Sequence, residues 1–136
     1  MIKGIAHIGI AVNNVENGRS LFQKIFSKKS SDPEYFGELK FSFVPFGNAH
    51  VELLESTSAE GVIKKFIDKK GEGVHHISLE VDDIQAEVNE MRAKGVRFVS
   101  ENPYFNAHKD LVIFIHPKST PGILVELIQH FKREQE

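Results

Sequence analysis

The chain alternates apolar and polar residues in several short segments, and two of these segments share one pattern. Residues 7–15, HIGIAVNNV, align without a gap with residues 76–84, HISLEVDDI, at an offset of 69 positions. Each segment predicts a β-strand that ends at an Asn or Asp helix cap and continues into an amphipathic helix. The sequence therefore predicts an internal duplication.

Further strands are predicted after the helix in each half. The segments KFSFVPFG and HVELLES flank a Gly-Asn turn, and LVIFIHP and ILVELIQ flank KSTPG, so both pairs predict hairpins. Between the halves, IKKFI predicts a short linker helix. We predict an α+β fold in which two tandem βαβββ modules form a curved mixed sheet around a metal-binding cleft. This single domain would span residues 1–136, with module one at about 4–56, a linker at about 57–73 and module two at about 74–130.

The helical periodicity predicts which residues face the core. The first helix is predicted to turn four apolar residues inward, Val15, Phe22, Ile25 and Phe26. The helix of the second module is predicted to turn three apolar residues inward, Ile84, Val88 and Met91. Gly95 is predicted to end this helix, because glycine readily adopts the left-handed conformation found after helices.

Strand alternation singles out four side chains that are able to bind a metal ion. Neighbouring residues of a strand point to opposite faces, and the bulky apolar residues of these strands suit the face under the helices. The other face then carries His7 in the first strand and His76 at the matching position of the second copy. Glu52 and Glu126 lie on the corresponding faces of the last strands. If the two modules curl into one cleft, these four side chains converge.

The chemistry of this set predicts a particular class of metal ion. Two neutral imidazoles and two carboxylates suit Co²⁺, Zn²⁺, Ni²⁺, Mn²⁺ or Fe²⁺ better than copper or calcium. An octahedral ion would keep two positions for water or substrate, which is typical of Lewis-acid catalysis.

The other histidines are predicted to lie outside this set. His75 is next to His76, and alternation turns it to the opposite face, so a structural role is predicted. His50 shares a face with Glu52 and is predicted to be on the surface or to support the site. Three more are predicted to be solvent-exposed, His108, His116 and His130.

Composition narrows the possible partners and location. The 136 residues are 40% hydrophobic and 26% charged, which is typical of a soluble globular protein. A net charge of -2 does not favour nucleic-acid binding, and no apolar run approaches the ~20 residues that span a bilayer. Without cysteine there is no disulfide or thiolate chemistry. We expect a cytoplasmic protein with a small-molecule substrate and with neither nucleic acid nor membrane as a partner.

These residues resemble the vicinal oxygen chelate superfamily, which includes glyoxalase I, ring-cleaving dioxygenases and antibiotic-resistance proteins. Within it the chain is most similar to the methylmalonyl-CoA epimerases. Five stretches carry the resemblance: HIGIAV, VELLES, KKGEGVHHISLEVDDI, KGVRF and FIHPKSTPGILVELI. The resemblance implies that the metal ligands are His7, Glu52, His76 and Glu126, the four residues that alternation also indicates. It further implies an acyl-CoA substrate and a homodimer.

The implied reaction is the epimerisation of methylmalonyl-CoA, or a similar 2-carboxyacyl thioester, through a metal-stabilised enolate. Inversion at the α-carbon requires a base on each face of the planar enolate. The resemblance implies that Glu126 is both a ligand and one base, and that the other is a glutamate in the loop before the first hairpin. That loop reads DPEYFGE, and a gapless count places the family's glutamate at Phe36. Glu34 preserves the Pro-Glu pair and is our choice, with Glu38 as the alternative.

Other functions of the superfamily stay open. FNAHKD stands where the family has a turn like Gly-Ala-His-Gly, and this departure concerns thioester recognition. One alternative is a glyoxalase I-like lyase or isomerase, similar to lactoylglutathione lyase, that acts on another metal-chelating substrate. A non-catalytic drug-binding resistance protein is less favoured because the ligand set is intact. A ring-cleaving dioxygenase is also less favoured, because those enzymes typically use two histidines and one carboxylate.

Overall fold

The computed structural model describes residues 1–131, and its order of elements matches the duplication. Each half runs strand, helix, and then three strands, with a linker helix between the halves. The strands are β1 (Ile2–Ala11), β2 (Glu34–Phe36), β3 (Leu39–Phe46), β4 (Ala49–Ser56), β5 (Gly73–Val81), β6 (Tyr104–Phe105), β7 (Leu111–Ile115) and β8 (Val125–Gln129). The helices are α1 (Val15–Phe26), α2 (Val62–Lys70) and α3 (Ile84–Ala93), with a 3₁₀ turn at Pro117–Ser119. The predicted α+β fold of tandem βαβββ modules is confirmed.

The duplicated helix caps act as predicted. The Asn14 side chain accepts a hydrogen bond of 2.9 Å from the backbone N–H of Asn17 at the start of α1. The Asp83 side chain accepts one of 3.1 Å from the N–H of Ala86 at the start of α3. Each cap satisfies a backbone donor that has no partner within the helix, and so fixes where the helix begins.

The chain folds into two compact units. The first unit, residues His7–His76, contains β2, β3, β4 and the second half of β1, in that order, followed by the start of β5. In it β1 pairs with β4 in parallel, and β3 pairs with β4 in antiparallel. A buried core cluster lies between its sheet and α1, and it is formed by Val44 and Leu53 of the sheet and Val15 of α1.

The second unit contains Met1–Ala6 and the described residues from Ile77 onward. Its strand order is β5, β8, β7, β6, with β5 and β8 parallel and β7 and β8 antiparallel. Its buried core is formed by Val81, Ile84, Val88, Ile113, Ile115 and Leu127. Because each unit combines parallel and antiparallel pairs, the predicted mixed sheet is confirmed.

The prediction for the core face of α1 is only partly correct. Val15 is fully buried, but Ile25 is 58% and Phe26 is 48% exposed. The ring of Phe26 forms edge-to-face pairs with the rings of Phe22 and Phe46. Helical periodicity shows which residues share a face, but it does not show how far the underlying sheet extends.

The helices of this fold are short. The longest of the three is α1, with 12 residues, whereas about 20 apolar residues are needed to cross a bilayer. Among residues 1–131, none of the helices has the length and apolar character of a membrane span.

Candidate metal centre

Three side chains of the kinds that bind metal ions meet in the first unit: His7 from β1, Glu52 from β4 and His76 from β5. The Nε2 atoms of the two histidines lie 3.1 Å apart. Oε1 of Glu52 lies 3.4 Å from Nε2 of His7 and 3.7 Å from Nε2 of His76. The two histidines are buried, and the side chain of Glu52 is only 14% exposed.

The strand register explains why Glu52 reaches His7. In the parallel pair β1–β4, His7 lies opposite His50 and Gly9 lies opposite Glu52. Residues that lie opposite each other share a face, and so do residues two apart on one strand. Glu52 therefore lies on the same face as His7, two residues beyond the residue of β4 that is opposite His7.

The spacing of these three donors fits one divalent ion. Two donors at about 2.1 Å from an ion would lie about 3.0 Å apart in an octahedral site and about 3.4 Å apart in a tetrahedral one. Two of the observed separations, 3.1 and 3.4 Å, match this range, and the third, 3.7 Å, is slightly longer than its upper value. Imidazole nitrogen and carboxylate oxygen are also the donors that Zn²⁺, Co²⁺, Ni²⁺, Mn²⁺ and Fe²⁺ accept.

Gly9 makes room for the ring of His76. A Cβ atom on Gly9 would lie 2.5 Å from Nδ1 and 2.8 Å from Nε2 of that ring, closer than real side chains approach. The imidazole thus lies directly on the backbone of β1. The sequence does not predict this contact, because it depends on how two strands that are distant in sequence pack.

The variant Gly9→Ala is expected to bind divalent metal at least about 10-fold more weakly, since the added methyl group displaces the ring of His76. Isothermal titration with Co²⁺ measures this change. Gly18→Ala is a suitable control, because its Cβ would contact apolar side chains rather than a member of the cluster, with Cδ1 of Leu53 nearest at 3.2 Å. Equal Co²⁺ affinity in the two variants would show that the ring does not depend on Gly9.

Glu126 lies in the second unit, on β8, with its side chain held by a neighbour. The Ser78 hydroxyl donates a 2.7 Å hydrogen bond to Oε1 of Glu126, and both residues are buried. The two residues are opposite each other in the parallel pair β5–β8. Ser78 occupies the position in module two that Gly9 occupies in module one, at the offset of 69. The aligned repeat shows this difference between Gly9 and Ser78, but only the register of β5 and β8 shows that Ser78 lies opposite Glu126.

Glu34 lies at the start of a strand, which corrects the sequence-based placement in a loop. It is the first residue of β2 and lies opposite Phe41 of β3. Phe41 in turn lies opposite Leu54 of β4, two residues from Glu52. Glu34 therefore shares its sheet face with Glu52 and His7.

Glu38, the alternative, has a different environment. It lies in the turn after β2, it is exposed, and its Oε1 accepts a 2.9 Å hydrogen bond from the Ser58 hydroxyl. Its backbone carbonyl accepts from the N–H of Thr57 at 3.0 Å. These bonds tie Glu38 to the chain after β4.

Tyr104 in module two corresponds to Glu34 in module one, and sequence reasoning missed it. It opens β6 opposite Val112, and Val112 lies opposite Ile128 of β8, two residues from Glu126. Burial raises the pKa of the Tyr104 phenol above its usual value of 10.0, and the negative charge of Glu126 adds to this effect. The hydroxyl therefore stays protonated at neutral pH, as a hydrogen-bond donor on the face of Glu126.

The loop FNAHKD closes on itself through a side chain. Oδ1 of Asn106 accepts hydrogen bonds of 3.0 Å from the N–H groups of His108 and Asp110. The carboxylate of Asp110 then contacts Nδ1 of His130 at 2.9 Å. An asparagine turn thus stands where the family pattern has glycines. His108 and His116 are partly buried rather than exposed as predicted.

Comparison with known proteins shows the family to which the chain belongs. The model of the Glyoxalase/Bleomycin resistance protein/Dioxygenase superfamily matches residues 6–114. The mitochondrial methylmalonyl-CoA epimerase of Homo sapiens is 38% identical over 126 residues, which are 90% of this chain and 72% of the human protein. The chain belongs to the methylmalonyl-CoA epimerase family.

Two further members of the family are similar over nearly their whole length. The ethylmalonyl-CoA/methylmalonyl-CoA epimerase of Cereibacter sphaeroides is 32% identical, with 95% of this chain and 99% of that protein covered. A variant of the Streptomyces coelicolor methylmalonyl-CoA epimerase, solved in complex with 2-nitronate-propionyl-CoA, has a TM-score of 0.88 and 27% identity. The match covers 95% of this chain and 98% of that one. The fold and the family expected from the sequence motifs are confirmed.

Proposed function

We propose that this protein is a metal-dependent epimerase that interconverts the epimers of methylmalonyl-CoA or a similar 2-carboxyacyl thioester. The observation that carries the proposal is the 38% identity to the human epimerase over nine-tenths of the chain. The cluster of His7, Glu52 and His76 supports it, because the donors suit a divalent ion. The acyl-CoA analogue in the Streptomyces coelicolor structure supports a thioester substrate.

His7, Glu52 and His76 are proposed to hold the metal ion, with Glu126 as the fourth ligand. The role of Glu126 rests on its place in the repeat, at the position equivalent to Glu52, and on the family resemblance. When bound, a divalent ion supplies positive charge beside the substrate oxygens on which negative charge develops. The Ser78 hydroxyl holds Oε1 of Glu126 and thereby fixes the direction of its carboxylate.

Glu126 and Glu34 are proposed to be the two bases. For one epimer, Glu126 removes the α-proton onto a carboxylate oxygen, and Glu34 delivers a proton to the opposite face of the planar carbon. For the other epimer the two residues exchange roles. Glu34 is preferred over Glu38 because the register places it on the sheet face of Glu52 and His7.

The test is to incubate the metal-loaded protein with methylmalonyl-CoA in D₂O and to follow the α-proton by NMR. We expect exchange well above the rate in buffer, and loss of this exchange after chelation of the metal. No exchange above background would reject the epimerase function. Turnover in a lactoylglutathione lyase assay instead would favour the glyoxalase-like alternative.

Three properties stay predictions: the homodimer, the cytoplasmic location and the identity of the metal. The homodimer follows from the resemblance alone, and light scattering on the purified protein measures it directly. Elemental analysis of protein purified without added metal would identify the ion that the protein retains.

A further inference from the structure

His75 contacts a metal-binding residue, although strand alternation predicts that it belongs to the other face. Its Nδ1 lies 2.9 Å from Nδ1 of His76, and the two rings are perpendicular. On its other side, the ring of His75 meets Phe66 of α2 edge-on, with 5.1 Å between ring centroids. A helix side chain and the neighbouring histidine thus contact the same imidazole.

The contact between the two Nδ1 atoms concerns the tautomer of His76. A neutral imidazole carries one proton, on either Nδ1 or Nε2, and two nitrogens at 2.9 Å share one proton between them. If His76 donates that proton, its Nε2 carries a lone pair. If His75 donates it, the proton of His76 sits on Nε2.

The tautomer of His76 decides whether its Nε2 atom is able to bind a metal ion. Nε2 of His76 is the atom that lies 3.1 Å from Nε2 of His7 and 3.7 Å from Oε1 of Glu52. A metal ion binds only the tautomer with the lone pair at Nε2. A histidine that binds through Nε2 carries its proton on Nδ1, and this N–H needs an acceptor close by.

We propose that His75 is a positioning residue that accepts a hydrogen bond from Nδ1–H of His76 and so directs the Nε2 lone pair of His76 to the metal site. Most metal-binding histidines use a carboxylate, a backbone carbonyl or water for this purpose. Here the imidazole of His75 is the acceptor, and it carries its own proton on Nε2. The contact with Phe66 holds the ring of His75 in place for this role. The proposal rests on the proposed function only through the metal site.

Two variants separate an acceptor from a space-filling side chain. In His75→Asn, the amide oxygen takes a place close to that of Nδ1 and is able to accept the bond. In His75→Leu, a side chain remains to contact Phe66, but there is no acceptor. The tautomer of His76 is read from imidazole ¹⁵N shifts of the metal-free protein at a pH at which both rings are neutral, with His76→Ala used to assign the signals. Co²⁺ affinity is measured by isothermal titration.

We expect the wild type and His75→Asn to carry the His76 proton on Nδ1, and His75→Leu to shift it toward Nε2. Co²⁺ should bind to His75→Leu about 10- to 100-fold more weakly and to His75→Asn nearly as well as to the wild type. Equal affinity in all three proteins would overturn the proposal. If His75→Leu does not fold, the wild-type spectrum still decides, since a proton on Nε2 of His76 would also overturn it.

These measurements use no substrate and are independent of the reaction. A protein that fails to exchange the α-proton of methylmalonyl-CoA but shows the expected tautomer and Co²⁺ affinities would reject the proposed function alone. A protein that exchanges the proton while His75→Leu retains the Nδ1–H tautomer would reject the role of His75 alone.

Discussion

The variant His76→Ala is expected to lose both its divalent metal ion and its α-proton exchange. Nε2 of His76 lies within 3.7 Å of donor atoms on both His7 and Glu52, so its removal takes away one of three clustered donors. Loss of a residue that merely supports a ligand weakens metal binding by about 10- to 100-fold, and loss of a ligand should exceed this range. We expect Co²⁺ to bind more than about 100-fold more weakly, as measured by isothermal titration and by elemental analysis after gel filtration.

His50→Ala is the matched control for this variant. His50 is exposed on β4, two residues from Glu52, and its ring meets Phe43 edge-on. It belongs to the same sheet face as the cluster but is not one of its three members. We expect it to retain its metal and its exchange activity to within about 3-fold, as for most surface substitutions. Full metal retention in His76→Ala would remove the basis of the proposed site.

Alternation and repetition together were enough to predict which side chains share a face. His7, Glu52 and His76 were selected because they lie opposite the apolar, helix-packed residues of their strands, and the structure brings these three together. This inference worked because a strand has a strict period of two and the duplication repeats it. The caps at Asn14 and Asp83 were predictable for a similar reason, since their effect is local.

Features that depend on short elements or on close packing were not predictable. β2 has three residues, too few to show a period, so Glu34 was assigned to a loop. The contact of His76 with Gly9 and the bond from Ser78 to Glu126 join residues that are distant in sequence. His75 was assigned by ideal alternation, which describes where a Cβ points but not where a flexible imidazole turns beyond it.

The variant Glu34→Gln is expected to lose epimerisation while it keeps its metal ion. Glutamine has nearly the same size but cannot accept a proton, and loss of a positioned base lowers a rate by about 10²- to 10⁴-fold. Glu34 lies on the sheet face of Glu52 but not in the cluster of three donors, so Co²⁺ affinity should be unchanged. Polarimetry or a coupled assay of each epimer measures epimerisation.

Deuterium exchange makes the test of the two bases sharper. If Glu126 is the partner base of Glu34, Glu34→Gln should still exchange the α-proton of one epimer with D₂O, because Glu126 removes that proton and returns a deuteron to the same face. The other epimer should not exchange. Glu126→Gln cannot give this information, since it alters a proposed ligand as well as a base.

Glu38→Gln is the matched control, because it makes the same chemical change four residues away. The Glu38 carboxylate accepts a hydrogen bond from Ser58 at the exposed turn, and a glutamine oxygen is able to accept the same bond. Epimerisation should therefore stay within about 3-fold of the wild-type rate. If Glu38→Gln abolished epimerisation and Glu34→Gln did not, the second base would be Glu38, and the strand register would not be a sufficient guide to the face on which the substrate lies.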